Sequence, residues 1–433
     1  MGRPVSGAGV AVPAPPRSPY RTLLTSSGFA RVFVAGLGSI AGSSIAGICL
    51  IWLVFAETGS ALDVGLLGTA QVAGGILFSV FGGTLVDRYD RRRLMILADL
   101  SRAAAMAVVV AVLALVGFDL PTVLGAAFVV GAFTTVFQPA EQSVIPALVP
   151  AALVADANGL VRSSRSALQF VGASVAGVLI VTVGATIGIA FNAVTFAVSA
   201  SLLFGMSVAS PRRAAGAAGA KAAGYLADLK EGFAWLYRSK GFFQLTISAT
   251  FFNFCASLVG TFLVFYATEV LHGSALLYAL LLAVEVAGTG IGSLLVSRTG
   301  GVRRAGRAWV VPYGAASGAV VLALTLVPES GVALAGLFLL GLFGGYAGTA
   351  WLTAAQLLVP AEMQGRYFGI DSLGSIAIIP ASQIGGAFLI AAYGVREAYL
   401  ATAIVWIAAG LFFLVPRALG RLGVRPDGTG QVP

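Results

Sequence analysis

One carboxylate, Glu285, lies midway along an apolar run that covers residues 276–297. A charged carboxylate at the centre of a bilayer costs at least ~2.5 kcal/mol, and residues of this kind usually serve a function. Burial favours the protonated form of a carboxyl group, so Glu285 is a candidate for proton coupling or for recognition of a cation. The alternative is a structural glutamate that stays protonated or hydrogen-bonded.

A second concentration of charge lies in the segment from Gly82 to Arg93, between two apolar runs. It holds Asp87, Arg91 and Arg92 within a few residues of one another. Apolar runs of about twenty residues can cross a bilayer. A charged segment between two of them therefore predicts a short loop at a membrane surface.

Uncharged side chains inside the apolar runs are candidates for contact with a substrate. The predicted substrate cavity contains Gln169, Asn253, Gln383, Ser43 and Phe251. Hydrogen bonds between helices would account for the polar residues equally well. Aromatic residues in membrane spans mostly serve packing or lie at the interface.

Composition decides the class of protein. The chain has 58% hydrophobic and 10% charged residues, whereas a soluble domain has about 25% charged residues. The predicted fold class is therefore an all-α membrane protein with twelve transmembrane helices. These helices are predicted at residues 29–56, 64–86, 94–116, 122–146, 160–182, 187–207, 242–268, 276–297, 308–327, 332–355, 367–391 and 396–415.

The net charge is +9, and the positive residues concentrate on one side of the predicted membrane. All Lys and Arg residues except Arg396 fall in or beside the termini and one set of loops. The positive-inside rule assigns that side to the cytoplasm. This predicts a multi-pass protein of the cell (plasma) membrane with both termini cytoplasmic, and it explains the charge without a nucleic-acid partner.

The chain divides into five predicted segments. They are a disordered cytoplasmic tail at 1–28, a six-helix bundle at 29–207, a cytoplasmic linker at 208–241, a second six-helix bundle at 242–415 and a cytoplasmic tail at 416–433. Within the linker, one helical stripe holds Tyr225, Leu226, Leu229, Phe233 and Leu236. Such a stripe predicts an amphipathic helix on the inner membrane surface.

An internal repeat relates the two bundles. Leu-Val-Pro-Ala at 148–151 recurs at 358–361, and Gly184 recurs as Gly394, at an offset of 210 residues. Gly-Ser-Ala-Leu at 59–62 recurs at 273–276, with a small difference in length. Two six-helix halves predict a substrate site near the midplane between them, with alternating access. At an offset of 210 the counterpart of Glu285 is Gly75, so the carboxylate is expected in one half only.

The segment Gly83–Arg93 resembles the loop between spans 2 and 3 of the major facilitator superfamily. Three other stretches resemble one group of that superfamily, the macrolide-efflux and enterobactin-exporter-like drug:proton antiporters. They are residues 52–60, 138–160 and 359–366. The resemblance covers nearly all of residues 29–415 and implies the major facilitator fold. The chain departs from other drug antiporters in having no Arg in span 4, where they often carry one linked to proton coupling.

In that family the charged loop latches the cytoplasmic gate, and its Asp faces the start of span 11. A helix N-terminus attracts such a carboxylate. We therefore predict a cytoplasmic gate that contains Gly83, Asp87, Arg88, Arg91, Arg92, Arg366, Asp371 and Arg162. Ion pairs at the inner face are expected among Asp99, Arg102, Arg162, Arg165 and Asp371.

These features favour a secondary active exporter of amphipathic small molecules, coupled to protons and acting by alternating access as a monomer. The alternatives are an exporter of a siderophore or biosynthetic product, an importer and, more remotely, a non-transporting receptor or assembly protein. The sequence holds no Walker A motif, no catalytic Ser/His/Asp set and no clustered metal ligands, so we expect no enzyme, cofactor or metal. The expected partners are a small-molecule substrate, protons and membrane lipids. Cys49 and Cys255 are expected to be free thiols in the bilayer.

Overall fold

The computed structural model describes residues 19–150, 153–205, 221–299, 310–414, 423–424 and 430–431. The first part forms α1 (Pro19–Thr25), α2 (Ser27–Thr58), α3 (Ala61–Arg88), α4 (Arg91–Leu115), α5 (Leu120–Leu148), α6 (Val154–Thr182) and α7 (Ala185–Phe204). The second part forms α8 (Lys221–Arg238), α9 (Lys240–Thr261), α10 (Leu263–Phe265), α11 (Ala275–Thr299), α12 (Ser317–Leu326), α13 (Ser330–Leu358), α14 (Ala361–Tyr393) and α15 (Val395–Leu414). Two π-helical turns, Tyr266–Val270 and Val310–Ala316, and a pair of two-residue strands, β1 (Gly423–Val424) and β2 (Gly430–Gln431), complete the described elements.

Eleven helices in the described part of the chain are long and apolar enough to cross a membrane. They are α2 to α7, α9, α11 and α13 to α15. The remaining predicted span, 308–327, corresponds to a π-helical turn followed by α12, and its apolar helix is shorter. Helices suit a bilayer because they satisfy every backbone polar group internally. The prediction of an all-α membrane protein is confirmed.

Short turns join successive helices on one side of the molecule, which we call the short-loop face. Two of these turns contain Gly184 and Gly394, whose φ angles are 89° and 91°. A side chain disfavours such positive φ values, so both turns require glycine. These two residues are a pair matched by the repeat, which therefore holds at the level of backbone conformation. We call the opposite side, which carries the connection between α7 and α8, the linker face.

The spanning helices form two bundles. In the first bundle α2 to α7 pack against one another, and in the second α9 to α15 do so. The bundles meet mainly through two helix pairs, α3 with α14 and α6 with α11. The linker helix α8 packs on the second bundle through α9 and α14.

The N-terminal segment differs from its prediction. Residues 19–25 and the start of α2 are helical, although the sequence predicts a disordered tail over 1–28. Leu23 and Phe29 are buried, and this apolar contact orders the segment. Residues 1–18 lie outside the described residues.

The linker helix α8 rests on the second bundle with part of its surface. On the predicted stripe Leu236 is buried, whereas Phe233 is 55% exposed. Gly232 lies on the face toward the bundle. A β-carbon at this position would lie 2.8 Å from Ile370 Cδ1 on α14. Trp235 completes this face, with its ring centroid 5.6 Å from that of Phe242. The side chains of the other three predicted stripe residues lie outside the described part of the chain.

Candidate functional site

Glu285 lies on α11 and lines a cavity of about 240 Å³ inside the second bundle. The walls come from α9, α13 and α15, with Val259, Leu340 and Trp406 among them. Within the described residues, the Glu285 carboxylate has no hydrogen-bond or ion-pair partner. An unpaired charge in an apolar bundle is costly. The side chain is therefore stable when it holds a proton or a bound cation.

Tyr313 forms the polar wall of this Glu285 cavity. Its hydroxyl donates to Asn253 Oδ1 at 3.1 Å, and its carbonyl accepts from Trp406 Nε1 at 2.9 Å. The rings of Tyr313 and Trp406 meet edge to face with centroids 6.0 Å apart. Tyr313 belongs to a π-helical turn, a feature that is frequent at functional sites. The predicted residue Asn253 does not line the cavity itself but contacts the lining residue Tyr313.

A close crossing of α11 with α13 fixes the backbone at Glu285. A β-carbon at Gly341 would overlap the Glu285 carbonyl oxygen, and one at Gly288 would overlap the Phe338 carbonyl oxygen. The glycines therefore let the two helix backbones touch, as small residues do in membrane bundles.

The first bundle repeats this crossing with α3 and α5. A β-carbon at Gly131 would overlap the Gln71 carbonyl oxygen, and one at Gly74 would overlap the Phe128 carbonyl oxygen. Gly131 of α5 therefore meets the Gln71 carbonyl oxygen in the same way as Gly341 of α13 meets the Glu285 carbonyl oxygen. The two crossings are structural equivalents.

The expected counterpart of Glu285, Gly75, is therefore wrong, and the correct counterpart is Gln71. The offset of 210 residues holds for α5 and α13, but the offset between α3 and α11 is four residues larger. The sequence contains the signal for this shift, because Gly59–Leu62 and Gly273–Leu276 match at the larger offset.

Gln71 lines a second cavity, of about 200 Å³, whose lining residues come mostly from the first bundle. The predicted residues Ser43 and Gln383 also line it, and so does Asn192, which the predicted set omitted. Asn192 is buried on α7 and is polar inside an apolar span. A polar residue in an apolar run is the sequence signal that identifies Asn192 as a candidate.

Gln383 of α14 also joins the two bundles. Its side-chain oxygen accepts from Thr69 Oγ1 at 3.2 Å, and its nitrogen donates to Thr261 Oγ1 at 3.3 Å. A β-carbon at Gly65 would lie 2.7 Å from the Gln383 carbonyl oxygen, and one at Gly68 would overlap its side-chain amide. We call Gly65 and Gly68 the glycine notch of α3. Only residues without a side chain leave room for Gln383 there.

Two further contacts between the bundles lie toward the short-loop face. The rings of Phe55 on α2 and Phe265 on α10 meet edge to face with centroids 4.8 Å apart. A β-carbon at Gly177 of α6 would lie 2.5 Å from Ala279 Cβ of α11. Together with the glycine notch, these contacts hold the bundles together on the short-loop side.

The predicted gate residues Arg91 and Arg92 bind within their own bundle. Arg91 donates to the Ser143 carbonyl at 3.1 Å, and Arg92 Nε donates to the Leu203 carbonyl at 2.8 Å. Both acceptors lie near the C-terminal end of a helix, where a positive charge is favourable. The two arginines thus fix the linker-face ends of α5 and α7 to the start of α4.

The other predicted gate residues are dispersed. Arg366 pairs with Glu231 of α8 at 3.0 Å, and buried Asp371 accepts from Thr246 Oγ1 at 3.2 Å. Arg162 is exposed on α6. The described side chains do not include those at Gly83, Asp87 and Arg88.

A buried ion pair lies inside the first bundle, between Arg102 and Asp99 of α4. The guanidinium carbon of Arg102 lies 4.6 Å and 4.3 Å from the ring centroids of Phe137 and Phe196, and Ser199 donates to Asp99 at 2.6 Å. The sequence predicts these charges near the inner face, and the structure buries them. The chain therefore does have an arginine buried in the first bundle. It lies on α4, which is the third span, whereas other drug antiporters often carry theirs in the fourth span, here α5.

A second ion pair, between Glu141 of α5 and Arg165 of α6, was not predicted. Glu141 is 2% exposed. The sequence signal for this pair is an acidic residue within the predicted span 122–146. α5 continues as a helix past Pro139 and Pro146, which brings Glu141 within reach of Arg165.

Two residues of the predicted substrate cavity lie elsewhere. Gln169 is exposed on α6, and Phe251 packs edge to face on Phe252 with ring centroids 6.4 Å apart. Neither residue lines the cavity of Glu285 or that of Gln71. Cys49 and Cys255 are buried free thiols, as predicted.

Comparison with known proteins gives both a family and relatives. A sequence profile described as Major Facilitator Superfamily matches residues 32–382. Macrolide efflux protein A of Streptococcus pyogenes is 26% identical over 61% of this chain and 65% of its own length, so the chain spans just under two thirds of that relative. Multidrug efflux pump Tap of Mycobacterium tuberculosis is 23% identical over 92% of this chain and 95% of its own length.

Among solved structures, a D-xylose-proton symporter has the same fold. The TM-score is 0.66 with 15% identity, and the match covers 91% of this chain and 98% of that chain. At this level of identity the likeness concerns the fold alone.

Proposed function

The chain belongs to the Major Facilitator Superfamily, whose members are membrane transporters rather than enzymes, and from this we propose that it is a secondary active exporter of amphipathic small molecules driven by protons. The two relatives named for efflux support export as the direction. The direction rests on these relatives, because the same fold also occurs in a symporter.

The observation that carries the proton coupling is the Glu285 carboxylate, which faces a cavity without a partner among the described residues. A carboxylate in this setting is stable with a proton, or with the cationic part of a substrate, but not alone. A proton and a cation therefore compete for one acceptor. Such competition links inward movement of a proton to release of the substrate.

The contacts between the bundles support alternating access. The positive-inside rule makes the linker face cytoplasmic, because the Lys and Arg residues concentrate there. The bundles are joined on the short-loop side, so this conformation is closed to the outside. Substrate then enters from the cytoplasm or the inner leaflet of the plasma membrane, and one chain contains both halves that the cycle needs.

Asp87 is the residue we assign to the latch that closes the linker face in the opposite conformation. The latch requires the carboxylate to meet the start of α14, where the helix N-terminus attracts a negative charge by ~0.3–1 kcal/mol. Arg91 and Arg92 support this role by holding the start of α4 in place.

Transport into inside-out membrane vesicles tests the function. Their lumen corresponds to the cell exterior, so acidifying the lumen should drive accumulation of substrate inside. The assay uses a cationic dye, a macrolide and a siderophore, with vesicles that lack the protein as the control. We expect an uncoupler to abolish accumulation of at least one compound. Uptake only in right-side-out vesicles would make the protein an importer, and no energised uptake in either orientation would contradict transport.

A further inference from the structure

The cavity around Gln71 has a different chemistry from the cavity around Glu285. Its polar lining consists of Ser43, Gln71, Asn192, Thr261 and Gln383. Its other lining residues are apolar, and none of its lining residues carries a charge. Gln383 and Thr261 come from the second bundle, so the cavity lies where the two bundles meet.

Two amide groups in this cavity have unused hydrogen-bonding capacity. Within the described part of the chain, the Gln71 side chain has no hydrogen-bond partner. Asn192 Oδ1 lies 3.4 Å from Thr195 Oγ1, and its amide nitrogen has no acceptor among the same residues. Gln71 is exposed, so its amide is open to water or a ligand. Asn192 is buried, and its amide nitrogen is costly there unless water or a ligand satisfies it.

The repeat sharpens the contrast between the halves. Gln71 and Glu285 occupy equivalent positions at equivalent helix crossings, and their side chains have nearly the same shape. The amide of Gln71 can donate and accept hydrogen bonds but stays neutral at every physiological pH. This position in the first bundle therefore suits an uncharged polar group, and its equivalent in the second suits a proton or a cation.

The size of the cavity limits what it can hold. Sites for drug-sized ligands have volumes of about 300–1,000 Å³. The Gln71 cavity has about 200 Å³. It accommodates a part of a substrate rather than a whole drug-sized molecule.

We propose that this cavity is a subsite for an uncharged carbonyl or hydroxyl group of the transported molecule, with Gln71 and Asn192 as its amide contacts. The inference rests on the proposed transport function and assigns the two halves different parts of the substrate. A ligand in this subsite also competes with Thr69 and Thr261 for the amide of Gln383. Its binding therefore weakens the contact that closes the short-loop side.

Equilibrium binding to the purified protein in detergent tests this subsite without a proton gradient. The probes are chloramphenicol, which is uncharged and carries hydroxyl and amide carbonyl groups, and ethidium, a permanent cation that lacks both. Gln71→Met keeps the length of the side chain and removes its amide. We expect Gln71→Met to weaken chloramphenicol binding about three- to tenfold, the range for loss of one or two neutral hydrogen bonds, and to leave ethidium binding unchanged.

The controls separate this proposal from the proposed function. Gln142→Met, at an exposed position near the linker-face end of α5, should bind both probes like the wild type. Unchanged ethidium binding by Gln71→Met also shows that the variant is folded. Wild-type protein that does not bind chloramphenicol, or Gln71→Met that binds it with wild-type affinity, would overturn the subsite. Failure of proton-driven transport in vesicles would instead count against the exporter and leave this result interpretable.

Discussion

At the scale of single residues, the two equivalent helix crossings carry a titratable side chain in only one half of the molecule. Gln71 and Glu285 sit on backbone segments that the same type of glycine contact fixes. One carries an amide and the other a carboxyl group, so only the second bundle can exchange a proton at this position. The two equivalent positions together therefore offer one site for a proton rather than two.

The buried pair of Glu141 and Arg165 gives a prediction about stability. Glu141→Gln leaves Arg165 without its carboxylate, and breaking a buried ion pair costs ~3–5 kcal/mol. The loss should fall below that range because Arg165 is 23% exposed. Thermal unfolding of the purified protein in detergent should show a lower midpoint.

The double variant Glu141→Gln/Arg165→Gln is the control for this prediction. It removes both charges, so it should recover most of the lost stability. A single variant that unfolds at the wild-type temperature would mean that the pair contributes nothing.

Residue type and setting decided which site residues were predictable. Glu285 stood out because it is a lone charge in a long apolar run, and Glu141 carried the same signal closer to the end of a span. Recognising Gln71 as the counterpart of Glu285 required the correct register of the repeat. The short match between Gly59–Leu62 and Gly273–Leu276, at the start of α3, defines that register. The partners of Arg91 and Arg92 were not predictable, because these long side chains bind helix ends that come together only after packing.

At the scale of helices, the closely packed pairs α11–α13 and α3–α5 each contribute to the lining of one cavity. Gly341→Val would place a side chain where α13 touches the Glu285 carbonyl oxygen. Overpacking of this kind costs ~1–3 kcal/mol, and more when backbone must move. We expect a clear loss of stability in detergent and a loss of transport.

The matched control lies on the same helix. A β-carbon at Gly348 meets no atom within 4 Å, so Gly348→Val should be nearly as stable as the wild type. Equal stability of the two variants would contradict the assigned crossing.

The glycine notch of α3 gives a prediction about conformation. Gly68→Leu puts a side chain where Gln383 lies, so α14 cannot close against α3. Spin labels on Ser60→Cys and Ser274→Cys, in a protein whose two native cysteines are replaced by Ala, report the separation of the bundles at the short-loop face. We expect a longer distance in Gly68→Leu.

Gly38→Leu is the control for the notch, because a β-carbon at Gly38 meets no atom within 4 Å. It should leave the distance distribution unchanged. A distribution in Gly68→Leu that matches the wild type would mean that the notch does not hold this side closed.

Helix existence was predictable, and local helix geometry was not. Length and hydropathy located the spans, because a bilayer demands about twenty apolar residues in each. The π-helical turns at Tyr266–Val270 and Val310–Ala316 have no such signal. One of them carries Tyr313 to the Glu285 cavity, so the chemistry around this carboxylate could not be read from spacing alone.

At the scale of the whole molecule, the proposed alternating access requires the two faces to close in turn. Asp87→Asn weakens the proposed latch, so the linker face should stay open for a larger share of the time. A membrane-impermeant maleimide applied from the cytoplasmic side should label Ser163→Cys on α6 faster in this variant. The background protein again lacks the native cysteines.

Asp63→Asn is the matched control, because Asp63 lies at the other end of the same helix, near the short-loop face. It should label at the wild-type rate. Unchanged labelling in Asp87→Asn would remove Asp87 from the latch.

The central claim is that the transported proton passes through Glu285, and proton movement in proteoliposomes tests it most directly. A substrate gradient is imposed across the membrane, and a pH-sensitive dye trapped inside reports the proton flux in the opposite direction. We expect wild-type protein and Glu329→Gln, which changes an exposed carboxylate at the short-loop face, to move protons. Glu285→Gln should move none, although it is reconstituted to the same level and unfolds at the wild-type temperature. Proton flux at the wild-type rate in Glu285→Gln would contradict the account.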